Sequence, residues 1–398
     1  MKKDWVYKEL GEVAKICGGK RLPKGCKLQS EPTKHKYIRV ADFLDNGTVC
    51  KDDIQYISDD IFNQIKRYTI SSADVYISIA GTIGKSGIVP DELNGANLTE
   101  NACKLVLNKE LDKRFVYLVT ISPFFKEQIN TLTKKSAQPK LALTRLATVN
   151  VPVPPLSEQK EIVEYLDSSF AKIDKLKENA AKNLEEAKAL FQSALKDALE
   201  PKEGWEEKTL EHIATEMYRG SGIKRDQVTE EGISCVRYGE IYTTYNYYFD
   251  VCKSHTNEGI ITSKKYFENG DILFAITGES VEEIGKSIAY LGKEKCLAGG
   301  DIVVMKHNQN PKFLSYALST PNAIKQKGYG KTKLKVVHTN IPSLKTIKIP
   351  IPSIQEQIKI AEFLDSLNEK VNTLQQNYSR ICSECDALKQ AILRQVFE

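Results

Sequence analysis

The chain states one pattern twice. Val151–Gln159 (VPVPPLSEQ) leads into a long amphipathic stretch, and Ile349–Gln357 (IPIPSIQEQ) leads into another 198 residues later. A short solenoid unit repeats every roughly 20–50 residues, so this spacing describes a duplicated domain with its helix. Few folds accommodate it. Each half must supply a globular body and a helix, and each helix must find a partner for its apolar face.

The helices follow from spacing. In the second copy, apolar residues at Leu364, Leu367, Val371, Leu374, Ile381, Leu388 and Ile392 alternate by threes and fours or their multiples; Leu166, Ile173, Leu176, Leu184 and Leu190 do so in the first. That is a heptad pattern, with Glu and Lys filling much of the rest. Pro155 and Pro352 sit where a missing N–H costs least. Glu158 and Glu356 fall in or near the first turn, where the helix dipole favours an acid. Neither stripe is stable alone in water, and the economical arrangement packs one helix on the other.

Each remaining half reads as the same series. A tryptophan (Trp5, Trp205) opens a short amphipathic segment. A loop of glycines and cations follows, Gly18–Gly25 and Arg219–Arg225. Short strand-like runs come next, Tyr37–Phe43 and Cys235–Ile241, in which Arg39 matches Arg237 and an acid, Asp42 or Glu240, stands three residues on. Then come Asp74–Gly81 and Asp271–Gly278, β-rich and closed by a turn glycine. Strands dominate without βαβ alternation, which predicts an α+β fold with mixed sheets. The expected boundaries are 1–150 for the first domain, 151–200 for its helix, 201–348 for the second domain and 349–398 for the second helix.

Charge is unevenly placed. Residues 1–150 carry 24 Lys+Arg against 17 Asp+Glu, whereas 151–200 carry 7 against 10. Two tracts lack carboxylates, Gln128–Ser157 and Ile302–Gln355; the second holds nine lysines. Clustered cations without interleaved acids suit a phosphate backbone. A solvated lysine surface is the bland alternative, which recurrence in both halves counts against. The resulting candidates for an anionic partner are Lys20, Arg21, Lys24, Lys134, Lys135 and Lys140, then Arg219, Lys224, Arg225, Lys331, Lys333 and Lys335. Lys85 and Lys286, each in a Gly-Lys-Ser turn, either meet a phosphate or remain solvated loop lysines. Two residues separate the glycines at Gly81 and Gly84, and six separate Gly278 from Gly285, so neither turn has Walker spacing. Arg39 and Arg237 either read guanine edges or pair internally with Asp42 and Glu240; their recurrence favours the internal role. The aromatic run Tyr242–Phe249 reads as a β-hairpin surface or a partner contact.

Nothing in the chain has catalytic spacing. The five histidines show no metal pattern, and no nucleophile elbow or methyltransferase loop occurs. Nine scattered cysteines, with a lone Cys382–Cys385 pair, fit a reducing cytoplasm and no zinc site. No membrane-length apolar run and no secretory leader are present. No cofactor is expected.

The duplicated layout and the Pro-Pro-Leu-x-Glu-Gln element before a heptad helix resemble the specificity subunit of Type I restriction–modification systems. That resemblance implies two target-recognition domains, each reading half of a split asymmetric site in double-stranded DNA. It implies that the long helices form an antiparallel coiled coil separating them and docking two methyltransferase subunits, with restriction–translocase subunits joining a larger complex. A helical scaffold or adaptor without DNA recognition is the competing expectation. If the helices act as a ruler, removing whole heptads from both changes the preferred spacer between half-sites and leaves half-site identity alone. Selection of binding sites from randomised-spacer duplexes checks this, and an unchanged spacer preference refutes it.

Overall fold

The computed structural model describes residues 5–133, 139–281, 283–329 and 337–398. The chain divides into two units, Met1–Ala180 with Tyr378–Glu398, and Ala181–Asn377. Each long helix therefore contributes one end to each unit. The first runs Leu156–Ala198 and the second Ile354–Phe397. At about 1.5 Å per residue each is about 65 Å long.

In unit 1, a four-stranded antiparallel sheet orders Ala14–Gly18, Ala102–Leu107, Val75–Ser78 and Ser86–Ile88. A three-stranded sheet sets His35–Ile38 between Gln55–Ile57 and the parallel strand Asn97–Leu98. Helices Lys113–Ile121 and Pro123–Leu132 contribute Phe115, Leu118, Phe125 and Ile129 to the main core. Ser122 caps the second of them and Pro123 follows, pre-set for a first turn. That core is completed by Leu166 from the first long helix and by Leu393, Val396 and Phe397 from the second. The Phe397 ring lies 5.7 Å from Phe115 and 6.4 Å from Trp5.

Unit 2 repeats the plan with larger sheets. One orders Ala214–Arg219, Ile302–His307, Ile272–Ala275, Ser287–Tyr290 and Tyr248–Phe249; the other orders Val228–Thr229, Ser254–Thr256, Ile233–Val236, Cys296–Ala298 and Tyr266–Phe267. Its main core takes Phe191 and Leu195 from the first long helix, Leu199 from the turn just after it, and Ile360, Ala361 and Leu364 from the second. The run Tyr242–Phe249 is not a hairpin. Tyr245 and Phe249 are buried and stacked at 4.2 Å, and Tyr247 packs 4.7 Å from Tyr316. These aromatics form interior surface because the strand at Tyr248–Phe249 adds parallel to Ser287–Tyr290.

Within unit 1 the helices touch and run oppositely. Asp174 pairs with Lys389 at 2.5 Å and Lys177 with Asp386 at 2.9 Å. Such exposed pairs contribute ~0–1 kcal/mol each, so they set direction more than strength. The buried faces correct part of the heptad assignment. Leu166, Ile173, Leu184 and Leu364 are buried, while Leu367, Val371, Ile381 and Ile392 are half-buried. Leu176, Leu190, Leu374 and Leu388 instead stand 58%, 64%, 42% and 48% exposed. At about 100° per residue, Leu176 and Leu190 fall about a quarter turn from the face of Leu166, Ile173, Leu184 and Phe191. The seam takes Phe191 and the half-buried stem of Lys177 in their place. A spacing count that admits only apolar residues selects the neighbouring leucines instead.

The repeated motif has a mechanical role. Gln159 is fully buried; its Oε1 accepts the Asp112 N–H at 2.8 Å, and its Nε2 donates to the carbonyls of Glu110 at 2.7 Å and Pro154 at 2.8 Å. Gln357 does likewise, accepting the Asn310 N–H at 3.0 Å and donating to Gln309 Oε1 and the Pro352 carbonyl. Asp112 and Asn310 are themselves N-caps. Arg114–Asp167 and Lys312–Asp365 pair at 2.7 and 2.5 Å, and Gln128 and Gln326 each bridge both backbone groups of Asn150 and Lys348. All of these pairs keep the 198-residue register except the contact of Gln159 with Glu110, whose place Gln309 takes one residue out of step. Gln159→Ala or Gln357→Ala leaves buried donors and acceptors unmatched and lowers unfolding free energy by about 2–4 kcal/mol. Urea titration of each variant checks this; a loss under about 1 kcal/mol contradicts it.

Candidate nucleic-acid interface

The two glycine–cation loops are held alike. A Cβ on Gly19 would meet the carbonyl oxygens of Leu98 and Thr99 at 2.4 and 2.0 Å, and one on Gly220 would meet the carbonyl oxygen of Gly299 at 2.2 Å. Glycine thus lets each loop lie directly on a strand end. Arg21 Nε then bonds Glu100 at 2.7 Å, and Arg219 bonds Asp301 at 2.7 Å and the Gly300 carbonyl. The Glu100 hydrogen bond and charge raise the Arg21 pKa. One arginine per loop is pinned, and Lys20 and Lys24 in unit 1 and Lys224 and Arg225 in unit 2 are exposed beside it.

In unit 1 Lys20 meets an aromatic ring beside a second cation, Arg67. Lys20 Nζ lies 5.7 Å and the Arg67 guanidinium 5.1 Å from the centre of Tyr68, on the wall of a cleft of about 300 Å³ that also includes Gly18, Leu98 and Lys104. Arg67 and Tyr68 escaped the sequence reading; their signal was the run Lys66-Arg67-Tyr68, a basic pair beside an aromatic residue. In unit 2 a cleft of about 640 Å³ is lined by Arg225, Arg237, Tyr238, Gly239, Glu240, Thr243 and the Gly299–Asp301 turn.

Other candidates are placed differently. Lys85 is half-buried and paired with Asp45 at 2.8 Å, which holds the Asp45 carboxyl below its ordinary range. Lys140 is exposed and bridges to Ala80. Lys286 turns inward; its amine reaches the carbonyls of Tyr245 at 3.0 Å and Tyr242 at 3.4 Å, and burial lowers its pKa. Lys134, Lys135, Lys331, Lys333 and Lys335 lie outside the described residues. Arg39 is internal, bonded to Asp42 at 2.5 Å and Asp53 at 3.0 Å. Arg237 departs from the expected symmetry. Glu240 accepts the Arg237 backbone N–H and the Ser254 hydroxyl, and no described residue bonds the guanidinium. Among the described residues no cluster of His, Cys, Asp and Glu could hold a metal. No described helix is long and apolar enough to cross a membrane.

Residues 2–186 and 202–381 each match the Type I restriction modification DNA specificity domain. The chain belongs to that family and carries the domain twice. It is 21% identical over 424 residues to the EcoKI specificity subunit of Escherichia coli K12, covering 99% of this chain and 88% of that one. It is 24% identical over 211 residues to the MjaVIII specificity subunit of Methanocaldococcus jannaschii, a match spanning only 48% of either chain. The fold matches, with a TM-score of 0.78 at 18% identity, a chain solved in a study of complex assembly and conformational transition of the type I R-M system, covering 100% of this chain and 98% of that one.

One lysine of the acid-poor tract is interior. Lys327 is buried, its Nζ bonded to the Leu318 carbonyl at 2.7 Å and Ser287 Oγ at 3.0 Å, and burial pushes its pKa down from 10.5 to about 7. The unfolded chain therefore binds the extra proton between pH 7 and 10.5, and stability rises with pH across that window. Below pH 7 this contribution no longer changes. Lys327→Met removes the rise; urea midpoints collected at pH 7 and pH 10 check it, and parallel pH curves for variant and wild type refute it.

Proposed function

We propose that this chain is the DNA-recognition subunit of a Type I restriction–modification system. It reads a bipartite, asymmetric duplex site and directs methyltransferase and restriction subunits to it. The observation that carries the reading is the doubled specificity domain. The contacts that fasten each long helix to its domain repeat at one register in both halves, while the loops that carry exposed cations differ in sequence. The subunit performs no chemistry; methylation and cleavage belong to its partners. The recognition domains span 1–150 and 201–348, and the helical segments span 151–200 and 349–398. It acts in the cytoplasm, where the DNA is.

In this reading the phosphate-facing groups are Lys20, Arg21 and Lys24 with Arg67 and Tyr68 in the first domain, and Arg219, Lys224 and Arg225 in the second. Lys140 lies on the same acid-free tract as the undescribed lysines. Phosphate contacts set position, and base contacts from the flanking loops set specificity.

The helices supply the docking surface. Tyr165, Leu176 and Leu190 are exposed on one face of the first helix; Phe363, Leu374 and Leu388 occupy the same positions of the second, each 198 residues on. An apolar stripe repeated in register fits two copies of one partner, the methyltransferase subunit.

Co-purification with the methyltransferase from the same operon, followed by mapping of methylated sites in host DNA, tests the function. A split motif with a fixed spacer is expected; a complex that binds duplex DNA without sequence dependence sinks the reading. Tyr165→Ser with Leu176→Gln should leave thermal stability unchanged and weaken capture of one methyltransferase roughly tenfold. Adding Phe363→Ser with Leu374→Gln should weaken the second. Native mass spectrometry counts the copies retained, and full two-copy occupancy in the fourfold variant contradicts the docking assignment.

A further inference from the structure

Arg39 and Arg237 are repeat partners with opposite fates. Arg39 spends its donors on Asp42 and Asp53. Asp42 recurs as Glu240, but Gln55 pairs with Tyr37 as Ser254 pairs with Cys235, so Asp53 falls on Cys252, a buried residue with no charge to offer. Glu240 in turn is occupied by the Arg237 backbone N–H at 2.7 Å and by Ser254 Oγ at 2.7 Å. The Arg237 Nε is buried with no hydrogen-bond partner among the described residues. A buried, unmatched donor on a charged group is costly, and such a group in a cleft marks a place where a ligand supplies the acceptor.

The cleft fits an anion. Its charged lining is Arg225, Arg237, Glu240 and Asp301. Asp301 is neutralised by Arg219 at 2.7 Å, and both Glu240 oxygens accept hydrogen bonds. Those donors to Glu240 are neutral and leave its charge in place, so Arg225 and Arg237 against Glu240 give the lining one positive charge in excess. A Cβ on Gly299 would come within 2.9 Å of the Val236 carbonyl oxygen, whereas Gly222 and Gly239 face open space. Base edges lie on the floor of a groove about 8.5 Å deep and are reached by groups that protrude. A recessed guanidinium is met by what protrudes from DNA, its phosphate ridge.

We propose that Arg237 and Arg225 form a phosphate clamp of the second recognition domain, a grip that the first domain lacks because Asp53 closes it. This rests on the chain being a DNA-recognition subunit. The clamp positions the duplex and reads no base.

The test measures affinity of the chain in complex with its methyltransferase subunits, for cognate duplex and for duplexes with single changes in the half-site read by the second domain, over a salt series. Arg237→Ala should weaken all of them by the same factor, roughly tenfold, and reduce the slope of log affinity against log salt by about 1. Arg225→Ala should do the same. Val251→Asp, which puts an acid at the exposed position beside Cys252, should mimic Arg237→Ala. Thermal stability of Arg237→Ala should equal wild type, since no described bond is lost, while Arg39→Ala should melt lower. Unchanged affinity and slope in Arg237→Ala overturn the clamp alone, as does a loss confined to one base-pair identity, which would make Arg237 a base reader. Absence of sequence-specific binding by the wild-type complex overturns the clamp and the recognition reading together.

Discussion

Unit 1 does not close its apolar core with a continuous piece of chain. Leu393, Val396 and Phe397 complete the first core, and they follow the whole of unit 2 in sequence. Burying these three side chains contributes ~1.5–3 kcal/mol each, a large share of a typical net stability of ~5–15 kcal/mol. The second long helix is thus a structural member of a domain that begins nearly four hundred residues earlier. Unit 2 is one continuous segment, Ala181–Asn377, and its core takes Phe191 and Leu195 from the C-terminal end of the first long helix. Replacing the loops of one recognition domain leaves this seam untouched, but shifting the helix register in one place disturbs both cores.

The two glutamines convert that packing into a defined joint. A helix end packed only by apolar contacts can slide, because the hydrophobic effect has no direction. Gln159 and Gln357 bind fixed backbone groups, two of them at the caps of neighbouring helices, and so allow one seating. Ion pairs about two turns along each helix, Arg114–Asp167 and Lys312–Asp365, extend the joint. The sequence motif is therefore legible twice over: its prolines and glutamate start a helix, and its glutamine fastens that helix to the domain before it.

Much of the architecture could be read from residue order alone. Duplication, two long helices and strand-rich domains follow from the 198-residue register, the heptads and the turn glycines. Three features could not. The choice between Leu176 and Lys177, or Leu190 and Phe191, depends on where a second apolar stripe lies, and counting hydrophobic residues cannot separate two stripes a quarter turn apart. Lys286, in a Gly-Lys-Ser turn, and Lys327, in the acid-free tract, carry the charge expected of an anion contact, yet they point to carbonyls inside unit 2, because a flexible four-carbon stem lets lysine turn either way. The aromatic run at Tyr242–Phe249 resembles surface β structure locally, and only its pairing beside Ser287–Tyr290 makes it core.

Function concentrates where the repeat breaks. Contacts that hold the helix caps and the long helices recur at 198 residues, and the strand pairings recur within two residues of that offset, because both halves solve the same packing problem. A molecule that reads two different half-sites cannot repeat its reading groups, so departures from register carry the information. Arg39 and Arg237 illustrate the point: one position, one residue type, and a second acid present in one half and absent in the other. The first arginine then stabilises its domain internally. The second keeps its charge for a partner, and its domain forgoes the corresponding stability. Loops elsewhere that diverge between halves, such as Pro23–Gly25 against Gly222–Lys224, deserve the same physical question of which donors the fold has already used.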